Sequence, residues 1–344
     1  MILNIMFSIF FLFLMLFTIL HKNEEKKFTK LKGRTMGTYW QVNVPYVPNK
    51  LYIKNLIQKN LNEDEELLSS WKENSLVSKF NKIKKNKLLV INESFFKIIS
   101  TALKINKKTS GKLDITIGNL INIWGFGEQK KLYLYPSINK IKKNIALTGI
   151  QHLKLISNST GNYIKKNLDG IKINLSTLGE GFAADHLSSI LKKEGIENYT
   201  ISVGGTVLVK TKRKESPKII AIQKPTDKIK SIHLLVGLKN ESISTAGTYR
   251  NYYYLKGKKI SHLIDPKTGI PVTHNLISVS VISSTALEAD GWDSALLILG
   301  FKKAKVLALK ENLAACFITK KDNTFSTWIS PCFKKFLISG KNIN

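Results

Sequence analysis

Cysteine is nearly absent: Cys316 and Cys332 are the only two in the chain. Without a neighbouring histidine cluster they cannot make a four-ligand zinc site. They remain either a single disulfide or two small buried hydrophobes. Acid is scarce too. Asp and Glu total 24 against 54 Lys and Arg in 344 residues, a formal charge of +30. Lys is spread through every segment and far outnumbers Arg, which reads as a solvated basic surface rather than a recognition patch. No RNA- or DNA-binding motif occurs, so nucleic acid is not expected as a partner. Internal repeats and long low-complexity runs are also missing. What remains is an ordinary globular composition, 43% hydrophobic and 23% charged, in a chain long enough to bury a large core.

One absence is local. Between Thr268 and Phe301 there is no Lys or Arg, although the composition implies roughly five in such a stretch. Its acids are Glu288, Asp290 and Asp293, in the run Thr285-Ala-Leu-Glu-Ala-Asp-Gly-Trp-Asp-Ser294. Thr285 and Glu288 have capping-box spacing and open a helix that Gly300 stops. On that helix Asp290, Asp293 and Ser294 share a face, with Leu287, Ala295, Leu296 and Leu299 on the other. An oxygen-only ligand set of this kind suits Mg²⁺ or Ca²⁺. A solvated acidic helix face is the competing reading, in which Asp290 merely favours the helix dipole. Glu288 is accounted for as the capping partner of Thr285.

The chain begins with an almost wholly apolar run, Ile2 to Leu20, long enough to span a bilayer as a helix. It lacks a basic n-region, a small-residue cleavage site and a following Cys that could accept a lipid, so an uncleaved anchor is expected. Lys22, Lys26 and Lys27 after it would by themselves favour a cytoplasmic C-terminal side. Residues 21–32 read as a polar linker.

Beyond the linker, Thr38 to Val44 alternates as a strand, and Leu51 to Leu68 and Phe95 to Asn106 have helical spacing. Ile171 to Leu175 alternates, then Ser176-Thr-Leu-Gly-Glu-Gly181 reads as a tight turn before a helix from Phe182 to Glu194. Such a strand–turn–helix unit is a natural anion seat. Tyr249 to Leu255 and Lys258 to Ile264 read as a hairpin through Lys256-Gly257, followed by the turn Asp265-Pro-Lys-Thr-Gly269. His262 stands beside that turn, as a structural histidine or as a base held in place. Trp71, Trp124 and Phe126 are candidates for the core or for stacking on a planar ring. Short strands and helices without strict βαβ alternation favour an α+β fold.

Several motifs together resemble the ApbE-type flavin transferases. They are Gly33-Arg-Thr-Met-Gly-Thr38, Leu113-Asp-Ile-Thr-Ile-Gly118 with Trp124-Gly-Phe-Gly127, and Leu175-Ser-Thr-Leu-Gly-Glu-Gly-Phe-Ala-Ala-Asp185. Val203-Gly-Gly205, Ser244-Thr-Ala-Gly-Thr-Tyr-Arg250, Ser261-His-Leu-Ile-Asp-Pro-Lys-Thr-Gly269 and Ala289-Asp-Gly-Trp-Asp-Ser294 complete the series, in family order. The resemblance implies mixed, largely antiparallel sheets with packed helices and an FAD site in a cleft between two sub-domains. It also implies Mg²⁺-dependent transfer of FMN from FAD to a Ser or Thr hydroxyl of a flavoprotein, leaving a phosphoester and releasing AMP. The alternatives are flavin binding, or FAD hydrolysis, without transfer. Carried over by position, Thr177, Asp290, Asp293 and Ser294 would ligate the metal. Met36, Trp71, Lys112, Leu113, Asp114, Asn174, Glu180 and Ile264 would contact FAD, and His262 would be the base. Asn174 stands where relatives similar in this motif carry Asp, Glu180 where many carry Lys, and Ala246 where Ser is usual. On this reading residues 1–20 are the anchor or signal segment, 33–338 the transferase domain and 339–344 a tail. The domain would face the periplasm from the inner membrane, and its acceptors would be flavoprotein subunits of membrane redox complexes.

Overall fold

Period-two alternation of apolar residues builds the central sheet. In this computed structural model residues 28–127, 134–226, 231–322 and 324–338 are described. The sheet has eight strands, which we number along the chain: β1 Phe28–Thr35, β2 Thr38–Pro45, β3 Tyr199–Val203 and β4 Thr206–Lys210 form one half. The other half is β5 Ser242–Gly247, β6 Leu276–Ser283, β7 Ala314–Lys321 and β8 Thr324–Ile329. Their spatial order is the chain order, and every neighbouring pair is antiparallel. The α+β expectation with largely antiparallel sheets therefore holds.

The five longest helices among the described residues are α1 Lys50–Leu68, α2 Glu93–Lys108, α3 Ser176–Lys193, α4 Ala286–Leu299 and α5 Phe301–Lys310. Four of them, α1, α3, α4 and α5, cover one face of the sheet. On β7, Ala315 and Phe317 pack with Trp292, Leu296 and Ala304 of the helices. The intervening Ala314, Cys316 and Ile318 pack on the opposite face with Leu234 and Val236 of the hairpin Lys218–Gln223/Ile232–Leu238. Alternation thus feeds two cores from one strand. A second, three-stranded sheet of Leu89–Ile91, Gly161–Lys166 and Leu153–Asn158 packs on α2. Both cysteines are free thiols, and burial raises that of Cys316 to about 12.

Some local expectations are corrected. The segment Ile171 to Leu175 makes a single bridge, Lys172 to Ile117, instead of a strand. Ser176 to Gly181 is not a turn but the first turns of α3. Gly181 is glycine because of close approach: a Cβ there would lie 2.4 Å from the Ala286 carbonyl oxygen on α4. Residues 1–20, most of the linker and the tail 339–344 lie outside the described residues. Among the described residues no helix is long and apolar enough to cross a membrane.

Candidate active site

Two helices set the site. Asp185 on α3 accepts hydrogen bonds from the Ala286 and Leu287 N–H groups at 2.9 and 3.0 Å, so it caps the start of α4. One turn back, the Gly181 N–H donates to Asp290 Oδ2 at 2.8 Å. The helices therefore run antiparallel, with 185 opposite 286 and 181 opposite 290. Carried one further turn, the same register pairs Thr177 with Ser294. Of the ligand set expected from sequence, Asp290, Asp293 and Ser294 lie on α4 and Thr177 lies on the facing helix α3.

The acidic face is buried, not solvated. Asp290, Asp293 and Ser294 expose 7%, 1% and 6% of their surfaces. Burial pushes both carboxyls well above the usual carboxylate range, and the charges of Asp293 and Glu180 add to the shift at Asp290. Ser244, on β5 beneath them, opposes this shift at both carboxyls, and its hydroxyl lies 2.8 Å from Thr206 Oγ1. Asp293 Oδ1 is buried without any hydrogen-bond partner among the described residues. An orphan carboxylate oxygen beside a second buried carboxylate fits a bound cation, since anions so placed repel unless something positive joins them. Among the described residues no group of three or more His, Cys, Asp or Glu has metal-binding spacing. A set of two carboxylates and two hydroxyls carries only two such residues.

Glu288 is only half of the expected capping box. Thr285 Oγ1 accepts the Glu288 N–H at 3.3 Å, but the Glu288 carboxylate turns to Lys104 at 3.0 Å and Ser283 Oγ at 3.3 Å.

The expected flavin contacts gather around the start of α3. Met36 occupies the β1–β2 turn with φ 48°, its N–H held by Glu65 Oε1 at 2.6 Å, and its sulfur packs beside Gly179. A left-handed non-glycine residue is uncommon, and Glu65 supplies the contact that maintains it. Asn174 Oδ1 accepts the Ser176 N–H at 3.0 Å and its Nδ2 reaches Ser70 Oγ at 3.4 Å. The next residue, Trp71, is 66% exposed, a free aromatic surface next to that contact. Glu180 accepts the Gly205 N–H at 2.6 Å and so ties α3 to the β3–β4 turn, and burial raises its carboxyl.

The remaining contacts form a second cluster. Lys112 Nζ pairs with Asp265 Oδ2 at 2.5 Å, joining the 109–114 loop to the turn after His262. Leu113 packs against Gly291 on α4, which links this cluster to the helix pair. Leu113 and Ile264 are buried in different cores and expose no side chain. Asp114 is also buried, with Oδ1 accepting from the Thr116 N–H at 2.8 Å. Trp124 and Phe126 belong to the core: Trp124 Nε1 donates to the Gly269 carbonyl at 2.7 Å, and Phe126 packs on His262. His262 Nδ1 lies 2.9 Å from the Asn251 carbonyl oxygen. A carbonyl can only accept, so Nδ1 carries the proton and Nε2 is left as an acceptor. Burial lowers the pKa of the ring, which keeps it neutral.

The ApbE family model matches residues 36–317. The chain belongs to the ApbE family. Similar to it is the FAD:protein FMN transferase of Buchnera aphidicola subsp. Schizaphis graminum, 82% identical over 98% of this chain and 100% of the relative. The FAD:protein FMN transferase of Escherichia coli strain K12 is 44% identical over 93% of this chain and 92% of the relative. In structure it is similar to the flavin transferase ApbE from Vibrio cholerae, with TM-score 0.81 and 28% identity, covering 90% of this chain and 99% of the other. Sequence reasoning did not assign Asp185, Ser244 or Glu65 a part in this ApbE site. Asp185 and Ser244 stand inside the family motifs, but their partners lie far away along the chain.

Proposed function

We propose that this chain is an FAD:protein FMN transferase that moves FMN from FAD to a Ser or Thr hydroxyl of a target flavoprotein. The observation that carries the reading is the buried pair Asp290 and Asp293, one oxygen of which has no partner, facing the start of α3. Thr177, Asp290, Asp293 and Ser294 would hold Mg²⁺, which when bound neutralises charge on the pyrophosphate.

The protein's own groups do the rest. The dipole at the start of α3 favours the anionic phosphates. The Met36 turn, Asn174 with the nearby Trp71, and the Lys112 loop orient the flavin and its phosphates. His262 Nε2 takes the proton of the incoming hydroxyl while the Asn251 carbonyl holds the ring by Nδ1. The hydroxyl oxygen forms a bond to the FMN phosphorus, the bond from that phosphorus to the bridging oxygen breaks, and AMP departs with that oxygen. The product is a phosphoester-linked flavin.

The apolar residues 1–20 support a membrane anchor, with residues 33–338 as the catalytic domain on the periplasmic side of the inner membrane. Flavin-carrying subunits of membrane redox complexes would be the acceptors. The test is mass spectrometry of a purified acceptor after incubation with enzyme, FAD and Mg²⁺. A mass gain equal to FMN on a Ser or Thr is expected, and FAD hydrolysis without acceptor modification would overturn the reading.

A further inference from the structure

Behind the Lys112–Asp265 ion pair lies a second concavity, a groove of about 530 Å³ between the end of α2, the 265–269 turn and α5. Lys267, Lys302, Lys303 and Lys310 line it, and none has a carboxylate partner among the described residues. At its far end Lys108 is already paired with Glu311. Its lining also has an apolar part, Leu299, Val306 and Leu307, of which Val306 is 68% exposed. One lip is the Ser110–Gly111 turn, with φ 52° and 86°.

The groove adjoins the segment that carries the expected base. Lys112 belongs both to its wall and to the pair that fixes the turn following His262. A protein substrate that presents a hydroxyl to His262 must lay neighbouring chain across this surface. We propose that the groove docks a segment of the acceptor protein in which acidic residues alternate with aliphatic ones. The proposal rests on the transferase reading above. Charge complementarity gives the sign of the occupant: four unpaired ammonium groups favour carboxylates. The apolar strip gives its character, since Val306 and Leu307 offer a free phosphate nothing, and no aromatic ring is present to stack on a nucleotide base.

The test uses full-length protein and a fluorescein-labelled decapeptide of alternating glutamate and leucine, read by anisotropy, with FAD binding followed separately by flavin fluorescence. In Lys302→Glu/Lys303→Glu/Lys310→Glu, peptide affinity should fall at least tenfold while FAD affinity stays within twofold. The control Lys32→Glu/Lys154→Glu/Lys192→Glu reverses three exposed lysines elsewhere and should lose less than threefold. Equal loss in both variants, no loss in the groove variant, or displacement of the peptide by ADP at lower concentration than by unlabelled peptide would overturn the docking site. Failure of wild type to bind FAD would instead remove the transferase reading, because peptide binding is measured without it.

Discussion

Two buried charges in this fold are treated in opposite ways. Lys166, 1% exposed, directs its ammonium at the carbonyls of Phe80, Asn81 and Ile171, at 3.3, 3.1 and 3.0 Å. All three of its donors are used, and it ties the segment leading to α3 against the helix Leu76–Lys82. Asp293, equally buried, keeps one oxygen unpaired and faces a second carboxylate across a turn of α4. A saturated buried charge holds a fold together, whereas an unsaturated pair of like charges costs stability and is explained by a ligand. On the proposed reading the first is a structural charge and the second a functional one.

The sharpest way to break this contrast is to remove a site carboxylate. Asp290→Ala should lower the transfer rate by about 10³-fold or more, the scale of losing a main electrostatic contact in a transition state, while thermal unfolding of the metal-free protein changes little. Steady-state transfer and a melting curve on one preparation check both halves.

Lys166→Met should do the reverse. Leaving three carbonyls unsatisfied is expected to cost about 2–4 kcal/mol in denaturant titration, with the transfer rate of the folded fraction within threefold of wild type.

The part of this reading that was legible in sequence was local. Period and caps located α1 and α4 to within a residue, and Thr285 does cap α4. The Lys-free stretch pointed to Asp290 and Asp293, which the fold buries. What was not legible depends on contacts between distant segments. Gly179 and Gly181 looked like turn signals, yet both are helical, and Gly181 is small because α4 passes against it. Asp185 and Ser244 carry no local sign of their roles, since their partners lie about a hundred and about fifty residues away. Burial of the acidic face could not be read either, because helical spacing gives a face but not what covers it.

His262 extends the comparison to a group whose charge is tuned rather than fixed. Burial lowers its pKa, so the neutral base is present throughout the physiological range. Transfer should rise with pH through a midpoint below the ordinary histidine value of about 6.5 and then stay level, and His262→Ala should abolish that limb. A midpoint above 7 would mean that another group titrates.

The smallest effect is expected at the cap that aligns the two helices. Asp185→Ala removes two hydrogen bonds to the start of α4 and should cost about 1–2 kcal/mol. By loosening the register it should also weaken Mg²⁺ binding several-fold, which Asp185→Asn should partly restore. Unchanged Mg²⁺ affinity in both variants would confine Asp185 to folding.

The central claim, that the buried carboxylate pair of α4, with its unpaired Asp293 oxygen, binds a cation, is tested most directly by thermal unfolding of wild type and Asp293→Asn across a Mg²⁺ titration. The account predicts that wild type gains several degrees, since a ligand at 100 times its Kd contributes about 2.7 kcal/mol. Asp293→Asn should start at least as stable without metal, because one buried charge is gone, and should not respond to Mg²⁺. Equal stabilisation of both proteins, or none of wild type, would contradict it.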